Sequence, residues 1–169
     1  MKIIDITNKT KYSLEFIFSE SDKLSSELTK SISENANKSF LVVAFYSSIL
    51  SFSFFKVAEE KYLYLTLLVG TILSIIILRK NLFPSKIVLR GSLPELMFDN
   101  YFNSFSDEEL DKEYLATQIQ SYNYALNHNQ ENIKNMVNRF RKSIYCMLIF
   151  LLLFIVGTCF FSFAECLQC

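Results

Sequence analysis

The longest charge-free run in the chain, Ser143–Ala164, decides the solvent in which much of it folds. Thirteen of its residues are Leu, Ile, Phe or Val. At about −0.3 to −0.6 kcal/mol each, these favour insertion into a bilayer by several kcal/mol. Two further windows without charge, Ser39–Phe55 and Tyr62–Leu78, sit near the lower limit of the roughly 17–25 residues that a helix needs to cross the hydrocarbon core. Five serines, at 39, 47, 48, 51 and 53, weaken the first, which read alone also suits a buried soluble hairpin. Only Lys56–Lys61 joins it to the richer second window, so a helical hairpin inserted as a unit is expected. The N-terminus is polar and the first apolar run begins too late for a signal peptide.

The 169 residues are enough for one domain, and the 51% hydrophobic content matters less than its uneven distribution. Net charge is zero and favours no class of partner. Placement is more telling. Arg79, Lys80, Lys86 and Arg90 follow the second window, and Lys134, Arg139, Arg141 and Lys142 precede the third, after which only Glu165 carries charge. The positive-inside rule puts residues 79–142 and the N-terminus in the cytoplasm, with Lys56–Lys61 and Glu165–Cys169 outside. Lys30 and Lys38, ahead of the first window, agree.

Residues 1–18 suit a strand, a short helix or a surface arm. From Ser21 the pattern turns helical, with Leu24, Leu28, Ile32 and Ala36 on one face. No glycine or proline precedes Gly70, so this helix runs into the first span. The second span should end near Asn81, because Pro84 disfavours helix just before it. Residues 81–105 read as a folded connector. Ser106 and Glu109 then form a capping box, with Asp107 and Glu108 favoured by the helix dipole. An apolar stripe follows at Leu110, Tyr114, Ile119, Tyr122, Leu126, Ile133, Val137, Phe140 and Ile144, interrupted around Asn127–Asn132. A helix continuing to about Phe163 would measure on the order of 85 Å. The two amphipathic helices are expected to bury their stripes on each other, within one chain or across a subunit interface. There is no evident internal repeat or low-complexity tract.

The fold class is therefore an all-α membrane protein with three transmembrane helices, a short N-terminal hairpin plus a C-terminal span, and cytoplasmic amphipathic extensions. The expected divisions are an arm and amphipathic helix at 1–38, the hairpin at 39–80, an insert with the long helix at 81–142, and the third span with its tail at 143–169.

Little in the chain suggests catalysis. His128 is the one histidine, the acidic run Asp107–Glu113 sits where a helix start wants acids, and no phosphate loop, metal-spaced cluster or nucleophile elbow occurs. An enzyme is not expected, nor a metal. Cys146 and Cys159 should pack as small hydrophobes in the third span. Cys166 and Cys169, in the outside tail, pair with each other, pair with another chain, or have no structural role.

Two sets of residues suggest binding. Thr66, Gly70 and Ser74, with Ala44 and Ser48, place small residues four apart, which lets helices approach closely in lipid. They serve hairpin packing or oligomerisation, or their hydroxyls line a polar path when subunits open. The absence of ionisable residues in the spans disfavours a proton relay or a dedicated ion transporter. Asparagines crowd the long helix, a poor place for them. Asn123 and Asn127 suit hydrogen bonds to a base or ribose, and Arg139, Arg141 or Lys38 suit a phosphate. Alternatively, the asparagines reflect an A/T-rich genome, and the basic residues contact anionic headgroups.

The layout resembles the Pycsar transmembrane effector family of bacterial anti-phage defence over roughly residues 20–163. The matching elements are Ala36, Asn37, Lys38 and Ser39 at the entry to the first span, and Ser106, Glu108, Glu109, Tyr114 and Leu115 at the helix start. Gln118, Ile119 and Asn123 follow, then the basic-aromatic Phe140, Arg141 and Lys142 before the last span. The resemblance implies a homo-oligomeric effector in the bacterial inner membrane that answers a cyclic pyrimidine mononucleotide and impairs the membrane, with no nucleic acid polymer as partner. The SLATT group is a close neighbour. The rival expectation is a constitutive scaffold or adaptor whose cytoplasmic helices bind a partner protein.

Overall fold

The computed structural model describes residues 9–83, 87–88 and 105–168. Most of the 81–105 connector lies outside these residues, and so does any pairing of Cys166 with Cys169. Three long helices make up the described chain: α1 (Lys11–Ala58), α2 (Leu65–Leu82) and α3 (Asp107–Gln168). A single 3₁₀ turn, Tyr62–Tyr64, leads into α2. No strand occurs among the described residues. Residues 11–18, open between three conformations in the sequence, begin α1.

The helix ends follow from local chemistry. The Thr10 hydroxyl accepts the Ser13 N–H at 3.3 Å, capping α1. At the start of α3, the Ser106 N–H and hydroxyl both donate to Glu109, at 3.3 and 2.7 Å, forming the reverse half of the expected capping box. α1 stops in a Schellman motif: Lys61 N–H reaches the Lys56 carbonyl and Glu60 N–H the Val57 carbonyl. The residue forced into the left-handed region is Glu60, at φ 65°, where glycine is usual. α2 ends at Leu82, one residue beyond the end expected from Pro84.

The chain divides into two compact units, Met1–Ile32 with Lys86–Ile133, and Ser33–Ser85 with Lys134–Cys169. In the first, α1 and α3 run parallel. Lys11 meets Asp111 at 2.6 Å and the Tyr122 hydroxyl donates to Asp22 at 3.0 Å, both pairs 100 residues apart. Phe18 stands edge-on to the Tyr122 ring with centroids 5.3 Å apart. Leu14, Ile32, Ala116, Ile119, Tyr122 and Ala125 are the buried apolar residues here. The two amphipathic helices meet within one chain, with Ile32 of the α1 stripe and Ile119 and Tyr122 of the α3 stripe buried.

In the second unit, α1, α2 and α3 pack around Tyr46, Leu67, Leu78 and Met147. Its outer surface carries Phe40, Leu41, Phe45, Leu152, Val156 and Phe160, each more than half exposed. All three helices are long and apolar enough to cross a membrane, and their apolar windows are only 11%, 28% and 6% buried. A surface of this kind suits hydrocarbon rather than water.

Burial in α1 follows a period of seven. Ser25, Ile32, Ser39, Tyr46 and Ser53 are all buried. The same holds in α3 for Tyr122, Asn129, Met136 and Ser143, and in α2 for Leu67, Ser74 and Asn81. This is the signature of a left-handed coil, in which the contact face recurs every 3.5 residues. It corrects two expectations. Leu24 is 47% exposed while Ser25 takes the buried place, because steps of four residues drift off a 3.5-residue seam. The exposed side of α1 also does carry a repeat: Ser19-Glu20, Ser26-Glu27 and Ser33-Glu34 recur at seven residues, with Lys23 and Lys30 between them.

Two outcomes are expected. Glu60→Gly should raise stability in detergent by about 1 kcal/mol, since an L-residue in the left-handed region costs roughly 1–2 kcal/mol; thermal unfolding reads this. The hydroxyl of Ser106, followed by its backbone N–H, holds the Glu109 carboxyl below its ordinary value of 4.5. Its capping contribution is therefore complete above that value and lost as pH falls through the lower folded value. Protection of the amides at the start of α3, relative to their intrinsic exchange rates, should fall over that window, and Glu109→Gln should remove that change in protection.

Candidate functional site

The second unit has an interior more polar than its surface. Ser39, Ser53, Thr71, Ser74, Asn81 and Ser143 are all 0% exposed. Hydroxyls and an amide enclosed by a shell of Phe, Leu and Ile need partners, because hydrocarbon offers none. Nearly all have them. Ser74 donates to the Ser143 carbonyl at 3.2 Å, and Ser143 donates back to the Ser74 carbonyl at 3.0 Å, a reciprocal clasp between α2 and α3. Tyr46 of α1 is buried in the same unit, 4% exposed. Thr71 donates to the Leu67 carbonyl at 2.7 Å and lies 3.7 Å from the Met147 sulfur.

Close backbone approach makes the clasp possible. At Gly70, on α2, an added Cβ would overlap the Cβ of Phe150 on α3. At Gly157, it would meet Leu63 Cδ1 at 2.8 Å. Both glycines are flat spots that admit a large side chain from the neighbouring segment.

Asn81 closes one end of this seam. Its Nδ2 donates to the Ser39 hydroxyl at 3.2 Å and to the Met136 carbonyl at 2.9 Å. Its Oδ1 accepts from Arg139 Nη1 at 3.3 Å. One buried amide thus joins all three helices. At the other end, Tyr64 packs against Phe154 and Phe52, with centroids 5.0 and 5.7 Å apart.

Of the small residues singled out in the sequence, Gly70 and Ser74 are buried in this seam. Thr66 is half-buried and donates to the Leu63 carbonyl at 2.8 Å. Ala44 and Ser48 lie on the exposed side of α1, and the Ser48 hydroxyl returns to the Ala44 carbonyl at 3.3 Å. The residues expected around a nucleotide fall in both units. In the first, the Asn127 amide donates to the carbonyl and side-chain oxygens of Asn123, at 2.8 and 3.1 Å. In the second, Lys38 and Arg141 are exposed, and half-buried Arg139 is engaged by Asn81. His128 stacks on Tyr124 with centroids 6.4 Å apart.

Asn129 was absent from that expected set and is 1% exposed. It accepts from the Val88 N–H and donates to the Val88 carbonyl, both at 3.3 Å, fixing the segment that follows α2 to α3. A 230 Å³ cavity in the first unit is lined by Lys9, Glu109, Lys112 and Glu113 among others, and by none of the expected nucleotide contacts. Asn81 and Asn129 escape a search for local clusters, since their partners lie 41 to 58 residues away. The period-seven spacing of Ser39, Tyr46 and Ser53 was the available signal for the seam.

No protein family, curated protein or solved structure matches the chain.

Asn81→Ala should lower stability by about 1–3 kcal/mol, the usual effect of leaving buried polar groups unsatisfied. Asn127→Ala, whose amide reaches only its own helix, should change it by less than about 0.5 kcal/mol. Thermal unfolding in detergent compares the two, and equal effects would remove Asn81 from its central place.

Proposed function

We propose that the chain is a membrane effector of bacterial anti-phage defence, which responds to a cyclic pyrimidine mononucleotide and impairs the inner membrane. It crosses the membrane three times as a homo-oligomer, with the N-terminus and residues 79–142 in the cytoplasm and the hairpin loop and C-terminal tail outside. The observation that carries this reading is α3. It is one helix with no glycine or proline before Gly157, and it bears an amide-rich stretch and then an exposed apolar stretch. Such a helix suits an element that both meets a cytoplasmic ligand and enters the bilayer. The nucleotide trigger rests on the family resemblance. Asn123 and Asn127 are offered for base or ribose, and Lys38 and Arg141 for phosphate; Arg139 joins them only by leaving Asn81.

A scaffold or adaptor is the second reading. It is favoured by Tyr12 and Phe16 of α1, which are 79% and 61% exposed in the unit read as cytoplasmic and suit a protein partner.

Titrating the detergent-solubilised protein with cyclic UMP and cyclic CMP should give saturable binding that Asn123→Ala weakens. Absence of binding to either would favour the scaffold. In cells making the ligand, a Gly-Gly insertion after Lys142 should leave membrane insertion intact and abolish depolarisation. A seven-residue helical insertion at the same place, which keeps the register, should preserve it. If the Gly-Gly variant still depolarises, α3 is only an anchor.

A further inference from the structure

The hydroxyls in the seam of the second unit share one orientation of chemistry. Ser39 donates its proton to the Asn35 carbonyl and Thr71 to the Leu67 carbonyl, at 2.8 and 2.7 Å. Ser74 and Ser143 each donate to the other's carbonyl. With their protons committed to backbone, what these oxygens retain is acceptor capacity, part of which the Asn81 amide takes at Ser39. Lone pairs solvate cations or accept from water, and they do not solvate anions. Among the described residues of the unit no carboxylate is buried, so the site lacks the charge that repays stripping water from a divalent ion.

A row of small polar residues in a membrane bundle is ordinarily packing. Ser53 argues for more. It falls in register with Ser39 and Tyr46 on α1, is 0% exposed, and its hydroxyl has no hydrogen-bond partner among the described residues. Exposed Ser47, Ser48 and Ser51 on the same helix all return their protons to the carbonyl four residues back. Ser53 does not, although the same geometry is open to a helical serine. A buried, unpaired hydroxyl on this line points to a water or ion as its partner.

We propose that the seam is an occluded path for a small monovalent cation, hydrated at Ser53 and conducting when α2 parts from α3. The Asn81–Arg139 junction closes one end, and Tyr64, held between Phe52 and Phe154, closes the other. The reciprocal Ser74/Ser143 clasp and the Gly70/Phe150 contact hold it shut between them. Parting α2 from α3 releases two hydroxyls and two carbonyls into the gap, all with oxygen lone pairs. The path rests on the membrane placement proposed above and is independent of the nucleotide trigger.

The test uses the full chain in vesicles loaded with potassium chloride and calcein, with insertion checked by flotation. Gly70→Ala, whose new methyl group must push Phe150 away, should raise potassium efflux several-fold over the unsubstituted protein while calcein is retained. Adding Thr71→Val and Ser143→Ala should return the efflux to the starting level. If Gly70→Ala fails to float, Asn81→Leu, which opens the junction at the other end of the clasp, should give the same potassium leak. Simultaneous loss of calcein, faster passage of chloride, a leak indifferent to the hydroxyls, or no leak from floated protein would each overturn the path. If no form of the chain floats, the membrane placement fails instead, and the path fails with it.

Discussion

A long helix that contributes to two packed units has one dependable contact face, and its period must serve both. Here that period is seven. In the first unit, the hydrophobic effect supplies the attraction, and the buried positions carry Leu14, Ile32, Ile119 and Tyr122. With the second unit in the membrane, as proposed, lipid tails are as apolar as any leucine, and burying apolar surface gains little. The same period there presents Ser39, Ser53, Ser74 and Ser143, and association depends on close packing and interhelical hydrogen bonds. Tyr46 and Met136 share this period in the second unit, and Ser25 and Asn129 in the first, so the repeating position carries both apolar and polar side chains along its length.

Two buried asparagines show how much specificity such a seam needs. Serine clasps are short and locally alike, so helices sliding by a turn find new partners of similar quality. Asn81 is different, because its amide must meet Ser39, the Met136 carbonyl and Arg139 together. Asn129 meets both backbone groups of Val88. Single buried amides fix register in coiled coils in the same manner. Of the asparagines that crowd α3, Asn129 thus has a structural use.

Much of the fold was legible. Three apolar windows, the stop after α2 and the Ser106/Glu109 cap all rest on local rules, and all three appear in the structure. The α3 stripe held too: Leu110, Ile133, Val137 and Phe140 are half-buried and Ile119 and Tyr122 buried. Reading α1 by steps of four failed at Leu24, because each such step turns about 40° past the starting direction in a helix of 3.6 residues per turn. The same shortcut chose Ala44 and Ser48, on the exposed side, over Ser39, Tyr46 and Ser53. Arg139 illustrates a different limit. As a base before a span it reads as a phosphate or headgroup contact, and nothing within its own stretch of sequence reveals the amide 58 residues earlier that engages it.

The parallel pairing of α1 and α3 also bears on how the chain is born. Lys11 and Asp22 find partners that follow them by 100 residues. At translation speeds of about 5–20 residues per second, the front of α1 waits on the order of 5–20 s for the helix that covers it. Throughout that interval Leu14 and Ile32 have no α3 to lie against. The Ser-Glu and Lys ladder on the other side of α1 then has a second value, keeping an orphaned nascent helix soluble until its late companion emerges.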